Sequence, residues 1–334
     1  MKDVLLKSKV FATFKCTERD PSLPTLCQEL LNAQKTSWKQ LQDNYASLER
    51  SDYRTLTRNG FSFRIQFNPG RMINTAAKID PKSIAKRKCF LCLENLPAPQ
   101  QGILYREEYL ILCNPSPIFP RHFTIAHLKH LPQAIENSFP FLLWAAKDFG
   151  PDFMIFYNGP KCGASAPDHL HFQAAPARSM PIKRDVTIHK HMQIINEIGG
   201  VSLYRAINTG RSIIIVAGKE ITDVQETFSY VLKAIQHVLA GQSEPMINII
   251  SSYKGDHWMV TIFLRRKFRP SVYFLDGEEQ ILISPGAVEM GGFIVTPRKN
   301  DFEKLDMESI ESIFREVSLE DETFERLLVE IAGG

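Results

Sequence analysis

No run in the 334 residues approaches the roughly 18 consecutive apolar positions that a membrane-spanning helix needs. The opening segment, Met1-Lys-Asp-Val-Leu-Leu-Lys-Ser-Lys9, breaks its short apolar stretch with charge and offers no cleavage-site pattern. A membrane anchor and a secretory leader are therefore not expected, and the cytoplasm is the default location. Cysteine is sparse as well. Six cysteines, at positions 16, 27, 89, 92, 113 and 162, do not make a dense disulfide framework in a chain of this size. A large excess of one charge is also missing: the formal net charge is +3, too small to imply a polyanion partner such as nucleic acid. What remains is ordinary for a globular protein, with 44% apolar and 23% charged residues, and the length suffices for two core-forming units.

Periodicity organises those units. Leu23, Leu26, Leu30, Leu31, Trp38, Leu41, Tyr45 and Leu48 recur at helical spacing and predict one long amphipathic helix over 22–50. Phe61–Phe67 alternates as a strand and ends in the turn Asn68-Pro-Gly70, followed by Arg71. Further strands are expected at Tyr109–Cys113, Phe123–Ala126 and Phe153–Tyr157, with a helix over 132–148. The second half repeats this grammar: a helix over 221–240, strands at Met246–Ser251 and Trp258–Leu264, then Ile281–Ser284 and Gly291–Pro297, and helices near 306–316 and 319–331. A duplicated α+β unit is the expectation, divided as 1–58 (an N-terminal helical segment packed on the core), 59–185 and 186–334.

The chemistry concentrates in one run. In Asp168-His-Leu-His-Phe-Gln173, a strand would point His169, His171 and Gln173 to one face, because alternate residues share a side. Two imidazoles and an amide in one row suit a phosphate. Before them stands Asn158-Gly-Pro-Lys-Cys-Gly-Ala-Ser-Ala-Pro167, rich in small residues that let backbone N–H groups close on an anion. Asn158, Lys161, Gly163 and Ser165 are its candidate contacts. An isolated His-x-His pair is commonly structural; the neighbouring loop, the glutamine and the distant cysteines shift the reading to phosphoryl or nucleotidyl chemistry. Only the first half carries such a row, so one catalytic row per chain is expected. Basic runs at Lys82–Lys88 and Arg265–Lys267 are solvated faces or additional phosphate contacts.

Cys89-Phe-Leu-Cys92 has the spacing with which two thiolates bind one zinc ion. His122, His127, His130 and His169 are the candidates for the remaining ligands. The favoured set is Cys89, Cys92, His130 and His169, with His127 as the alternative to His130. Four protein ligands would close the site and make the metal structural. A redox role fits poorly, since Glu94-Asn-Leu-Pro-Ala-Pro99 after the pair reads as loop rather than helix.

With the knuckle, the small-residue loop and His-x-His-x-Gln in this order, the chain resembles the galactose-1-phosphate uridylyltransferase branch of the histidine-triad superfamily over about residues 60–180. Gly163-Ala-Ser165 with His169-Leu-His-Phe-Gln-Ala174 is most similar to the GDP-hexose phosphorylases. Ser284-Pro-Gly-Ala-Val-Glu-Met-Gly-Gly292 through Glu303 resembles the C-terminal region of dinucleoside tetraphosphate phosphorylases. The resemblance implies duplicated HIT-like units with antiparallel sheet flanked by helices, and a two-step transfer through a covalent nucleotidyl-histidine. It implies His171 as nucleophile, His169 as zinc ligand, Gln173 and Ser165 as phosphate contacts, Asn114 at the nucleoside and Arg71 as a cation. The substrates would be a nucleotide or nucleotide sugar with phosphate or a sugar phosphate, and a homodimer is the default assembly. Phosphorolysis of a nucleoside-diphosphate hexose is the leading expectation. Hexose-1-phosphate uridylyl transfer and diadenosine polyphosphate phosphorolysis stand beside it, and a silent zinc-stabilised nucleotide binder is the reading from another class.

Overall fold

The computed structural model describes residues 2–17, 20–58, 60–72, 81–186 and 191–333. The strands, in chain order, are β1 (Val10–Phe14), β2 (Asp52–Arg58), β3 (Phe61–Phe67), β4 (Gly102–Tyr105), β5 (Tyr109–Cys113), β6 (Phe123–His127), β7 (Phe153–Asn158), β8 (His171–Pro176), β9 (Met192–Ile198), β10 (Val201–Ala206), β11 (Ile213–Gly218), β12 (Ile247–Lys254), β13 (His257–Leu264) and β14 (Phe293–Thr296). Eleven of them form one sheet in the order β1-β4-β5-β6-β8-β7-β12-β13-β11-β10-β9, and β14-β3-β2 form a second. Within the large sheet every described pairing except β1 with β4 is antiparallel.

Read outward from its centre, the large sheet has one topology twice. One side runs β7, β8, β6, β5, β4 and the other β12, β13, β11, β10, β9. In each half the fourth strand is innermost and the fifth lies beside it. A helix precedes the innermost strand in both, Phe139–Phe149 before β7 and Ile221–Val238 before β12. The seam is antiparallel, pairing Asn158 with Asn248 and Phe156 with Ile250. The fold is thus α+β with a large antiparallel sheet flanked by helices. The unit boundary expected at residue 59 falls outside the described residues.

Alternation sorts the side chains. Ile111, Phe172, Ala174 and Tyr157 face a core shared with the long helices. Met154, Phe156, Ala175 and Ile250 face a second core under β3, β14 and the C-terminal helices. Leu110, Leu112 and Ala126 pack with Cys89, Leu91 and Leu96 in a third, smaller cluster. A cleft lies where the second and third clusters meet.

Several expectations need correction. The helix over 22–50 is two, Leu23–Ser37 and Lys39–Glu49, broken at Trp38, whose backbone is extended. Thr36 and Ser37 turn their hydroxyls back onto the carbonyls of Asn32 and Ala33, which weakens the helix end and bends it. The helix placed over 132–148 begins only at Phe139. Pro140 occupies its first turn, where a residue without N–H is tolerated. Ile281–Ser284 is not a strand: its apolar side chains are buried, but Leu282 N–H donates to Asp301 Oδ2 (3.0 Å). His169 does not share a strand with His171 and Gln173, since β8 starts at His171.

Candidate active site and metal centre

β8 sits beside β7 and β6, so His171 and Gln173 open toward one face from near the middle of the large sheet. A buried amide fixes where the strand begins. Gln133 Oε1 accepts from His171 N–H (2.8 Å), while its Nε2 donates to His171 O (2.9 Å) and Asn158 O (3.0 Å). The His171 ring is anchored too, its Nδ1 standing 2.8 Å from the carbonyl oxygen of His169. A carbonyl only accepts, so Nδ1 carries the proton and Nε2 keeps its lone pair. Burial holds the His171 pKa down at about 4, which keeps the ring neutral near pH 7.

His171 and Gln173 line a cleft of about 510 Å³ together with Arg71, Asn114, Asn158, Gly163 and Ser165. The sequence reading had named all seven. Lys161, named with them, is exposed and is not among the cleft-lining residues. Arg71 donates from Nη1 to Ser116 O (2.6 Å). Asn114 commits its Oδ1 to Ser116 N–H (2.9 Å), a turn-stabilising bond, and reaches Thr124 Oγ1 with Nδ2 (3.3 Å). Gly163 has φ +116°, and a Cβ there would meet Gly286 Cα at 2.8 Å, so only glycine lets the loop and the 286 segment touch.

The second half of the chain supplies the opposite wall, with Phe268, Arg269, Ser284 and the stretch Gly286–Glu289. Arg269 Nε donates to Ser284 Oγ (3.1 Å). Asn158 Oδ1 accepts from Asn248 Nδ2 (2.9 Å) and Ala287 N–H (2.7 Å), tying the walls together. Arg265 is not a phosphate contact. It is 1% exposed and holds Asn248 Oδ1 and Pro285 O at 2.6 and 2.9 Å. Arg266 and Lys267 pair with Glu320 and Glu316 instead. Burial pushes the Glu289 carboxyl up to about 7, against the pull of Gly286 N–H, Arg71 and Arg265. Arg269 and Gln133 escaped the sequence reading because neither lies in a patterned motif; Glu289 stands inside the stretch 284–292 but was given no role of its own.

Next to the cleft, Cys89, Cys92, His130 and His169 converge, with all four ligand atoms within 4.8 Å of one another. His169 Nδ1 lies 3.3 Å from Cys89 Sγ and 3.6 Å from Cys92 Sγ, and His130 Nδ1 lies 3.2 Å from Cys92 Sγ. A tetrahedral zinc at ordinary bond lengths would set such sulfur–nitrogen separations at about 3.5 Å. His169 gives its other nitrogen to His127 O at 2.7 Å, the outer bond that aims a ligating imidazole. The donor set fits a metal. The alternative ligands are turned elsewhere: His127 Nδ1 accepts from Lys129 N–H (2.9 Å), and His122 meets Gln173.

Residues 186–333 match the family model described as GDPGP1-like, C-terminal domain. Residues 30–176 match a model described as a domain of unknown function, DUF4922. The chain is similar to GDP-L-galactose phosphorylase 2 of Arabidopsis thaliana, 28% identical over 225 residues, which is 64% of this chain and 49% of that protein. It therefore spans about half the length of that curated relative. Its fold is that of yeast Ap4A phosphorylase Apa2. The AMP complex of Apa2 superposes with a TM-score of 0.59 at 13% identity, over 90% of this chain and 97% of the other. The Ap4A complex gives 0.55 at 13% identity, over 85% and 97%. The likeness to this group of phosphorylases drawn from the motifs is borne out.

Proposed function

We propose that the protein is a nucleotidyl-transferring phosphorylase that cleaves a nucleoside-diphosphate hexose with phosphate. The observation that carries this is His171, whose Nδ1 is occupied by a carbonyl while Nε2 remains available in the cleft. In the first step Nε2 forms a bond to the α-phosphorus, the bond from that phosphorus to the bridging oxygen breaks, and sugar 1-phosphate leaves. In the second, a phosphate oxygen attacks the same phosphorus, the nitrogen–phosphorus bond breaks, and a nucleoside diphosphate departs. Neutral imidazole needs no auxiliary base for this, and splitting the transfer divides one hard step into two easier ones. Gln173 and Ser165 act as donors to the phosphoryl oxygens as charge develops. Arg71 and Arg269 supply positive charge from the two walls. Similarity to GDP-L-galactose phosphorylase 2 favours a nucleotide sugar over a dinucleotide as the donor.

Cys89, Cys92, His130 and His169 would hold zinc as a closed structural site. Bound there, the ion supplies rigidity, because four protein ligands leave no position for substrate. The chain's own contribution is to carry His169 O to the Nδ1 of the nucleophile.

A panel of nucleoside-diphosphate hexoses incubated with phosphate tests the reading. At least one should yield sugar 1-phosphate and nucleoside diphosphate in equal amounts, with phosphate required. Diadenosine polyphosphates consumed in preference to every nucleotide sugar would transfer the assignment to dinucleotide phosphorolysis. Release of nucleoside monophosphate without phosphate would make it a hydrolase.

A further inference from the structure

Gln173 has an amide with two chemically opposite ends, and only the NH₂ end can donate to a phosphoryl oxygen. We infer that His122 is the positioning residue that decides which end faces the cleft. The inference rests on the reading of His171 as the nucleophile. His122 is 2% exposed and sits at the head of β6, next to the strand that carries Gln173. Its Nδ1 lies 3.3 Å from the backbone N–H of Ile118, and its Nε2 lies 2.9 Å from Gln173 Oε1. The Ile118 N–H can only donate, so Nδ1 must be the bare nitrogen and Nε2 must carry the hydrogen. That hydrogen claims the amide oxygen of Gln173 and leaves the NH₂ end for the cleft.

The surroundings hold the imidazole in this state. Phe119 meets it edge-on at 5.7 Å and Phe156 lies 6.1 Å away, so the ring is packed between aromatic neighbours. Asn114 Nδ2, 3.5 Å from the same Nε2, has Thr124 Oγ1 at 3.3 Å as its acceptor and does not compete for Gln173. Burial and the nearby Arg71 guanidinium both oppose a proton on Nδ1. The opposite tautomer would set Nδ1–H against Ile118 N–H and leave two buried donors facing each other, an arrangement that costs free energy with no compensating bond. A backbone N–H, which no side-chain substitution removes, thereby fixes the polarity of a side chain in the cleft.

The test combines a tautomer measurement with a double-mutant cycle. In ¹⁵N-labelled protein without substrate, the His122 ring should show a protonated Nε2 and a bare Nδ1 across neutral pH. His122→Phe, which keeps a packed ring but removes the donor, should lower kcat on the order of 100-fold, the usual effect of one lost transition-state donor, with KM changed far less. In a Gln173→Ala background the same substitution should have no further effect on kcat, because His122 acts only through that amide. Equal losses from His122→Phe in both backgrounds, with thermal stability reduced in both, would make His122 a packing residue and overturn the proposal. An Nδ1-protonated ring would overturn it too, and needs no turnover to be seen. A wild-type protein with the expected tautomer but no nucleotidyl transfer would instead sink the reading of His171 on which the proposal rests.

Discussion

Gln133 engages three backbone atoms at once, all within 3.0 Å, and is 3% exposed. Replacing it by alanine strands a buried N–H and two buried carbonyls at the start of β8. The expected loss is about 2–4 kcal/mol of stability, read from the denaturant midpoint, with a larger fall in kcat than thermal destabilisation alone would give. A Gln133→Ala protein with unchanged midpoint and rate would show that His171 is held by other contacts. Nothing in the local sequence marks Gln133, since its partners stand 25 and 38 residues away. His171 and Gln173, by contrast, were readable from their i, i+2 spacing on a strand. His169 was readable as a candidate metal ligand through the cysteine pair, although its place in the row was wrong: β8 begins two residues later, and its Nδ1 lies 3.3 Å from Cys89 Sγ.

At the scale of elements, the knuckle loop and the end of β6 meet the segment before β8 at the four ligand atoms, beside the Arg87–Asp168 ion pair (2.6 Å) and the His169–His127 contact (2.7 Å). Its companion cluster, Leu91, Leu96, Leu110 and Leu112, is small. Cys89→Ser combined with Cys92→Ser should therefore remove bound zinc and lower the thermal midpoint by several degrees or more. Substrate preference should change little, because a closed metal site acts through folding. Metal analysis of freshly purified wild-type protein finding no zinc would remove the assignment. Strongly apolar strands such as β5, β7 and β13 were predicted nearly to the residue, because both their faces are covered. β1, β2, β4, β9, β10 and β11 were missed: β2 and β9 are edge strands, largely exposed and without clean alternation, whereas β4 and β11 are short, buried apolar runs that periodicity alone does not mark as strands. The apolar Ile281–Ser284 misled in the opposite direction, as burial alone does not provide a strand partner.

Across the whole molecule, two halves with one strand order meet at the β7–β12 seam, and only the first bears the His-x-His-x-Gln row. The second half has become the other wall of the same cleft. The repeat was visible as a recurring helix-and-hairpin grammar. That Arg269 and Ser284 line the same cleft as His171 was not, because it depends on pairing across the seam and on buried Arg265 holding Asn248 and Pro285. Arg269→Ala should raise the KM for phosphate by about 10-fold or more, the effect of losing one charge-assisted contact, and spare thermal stability. A change confined to kcat would place Arg269 with the first-half residues instead.

The most direct measurement is transfer of radiolabel from an α-³²P nucleoside-diphosphate hexose to the protein in the absence of phosphate. The wild-type chain should retain an acid-labile, base-stable label at residue 171 that added phosphate discharges as nucleoside diphosphate. His171→Ala should retain none. Equal labelling of His171→Ala, or label mapped to any other residue, would contradict the account.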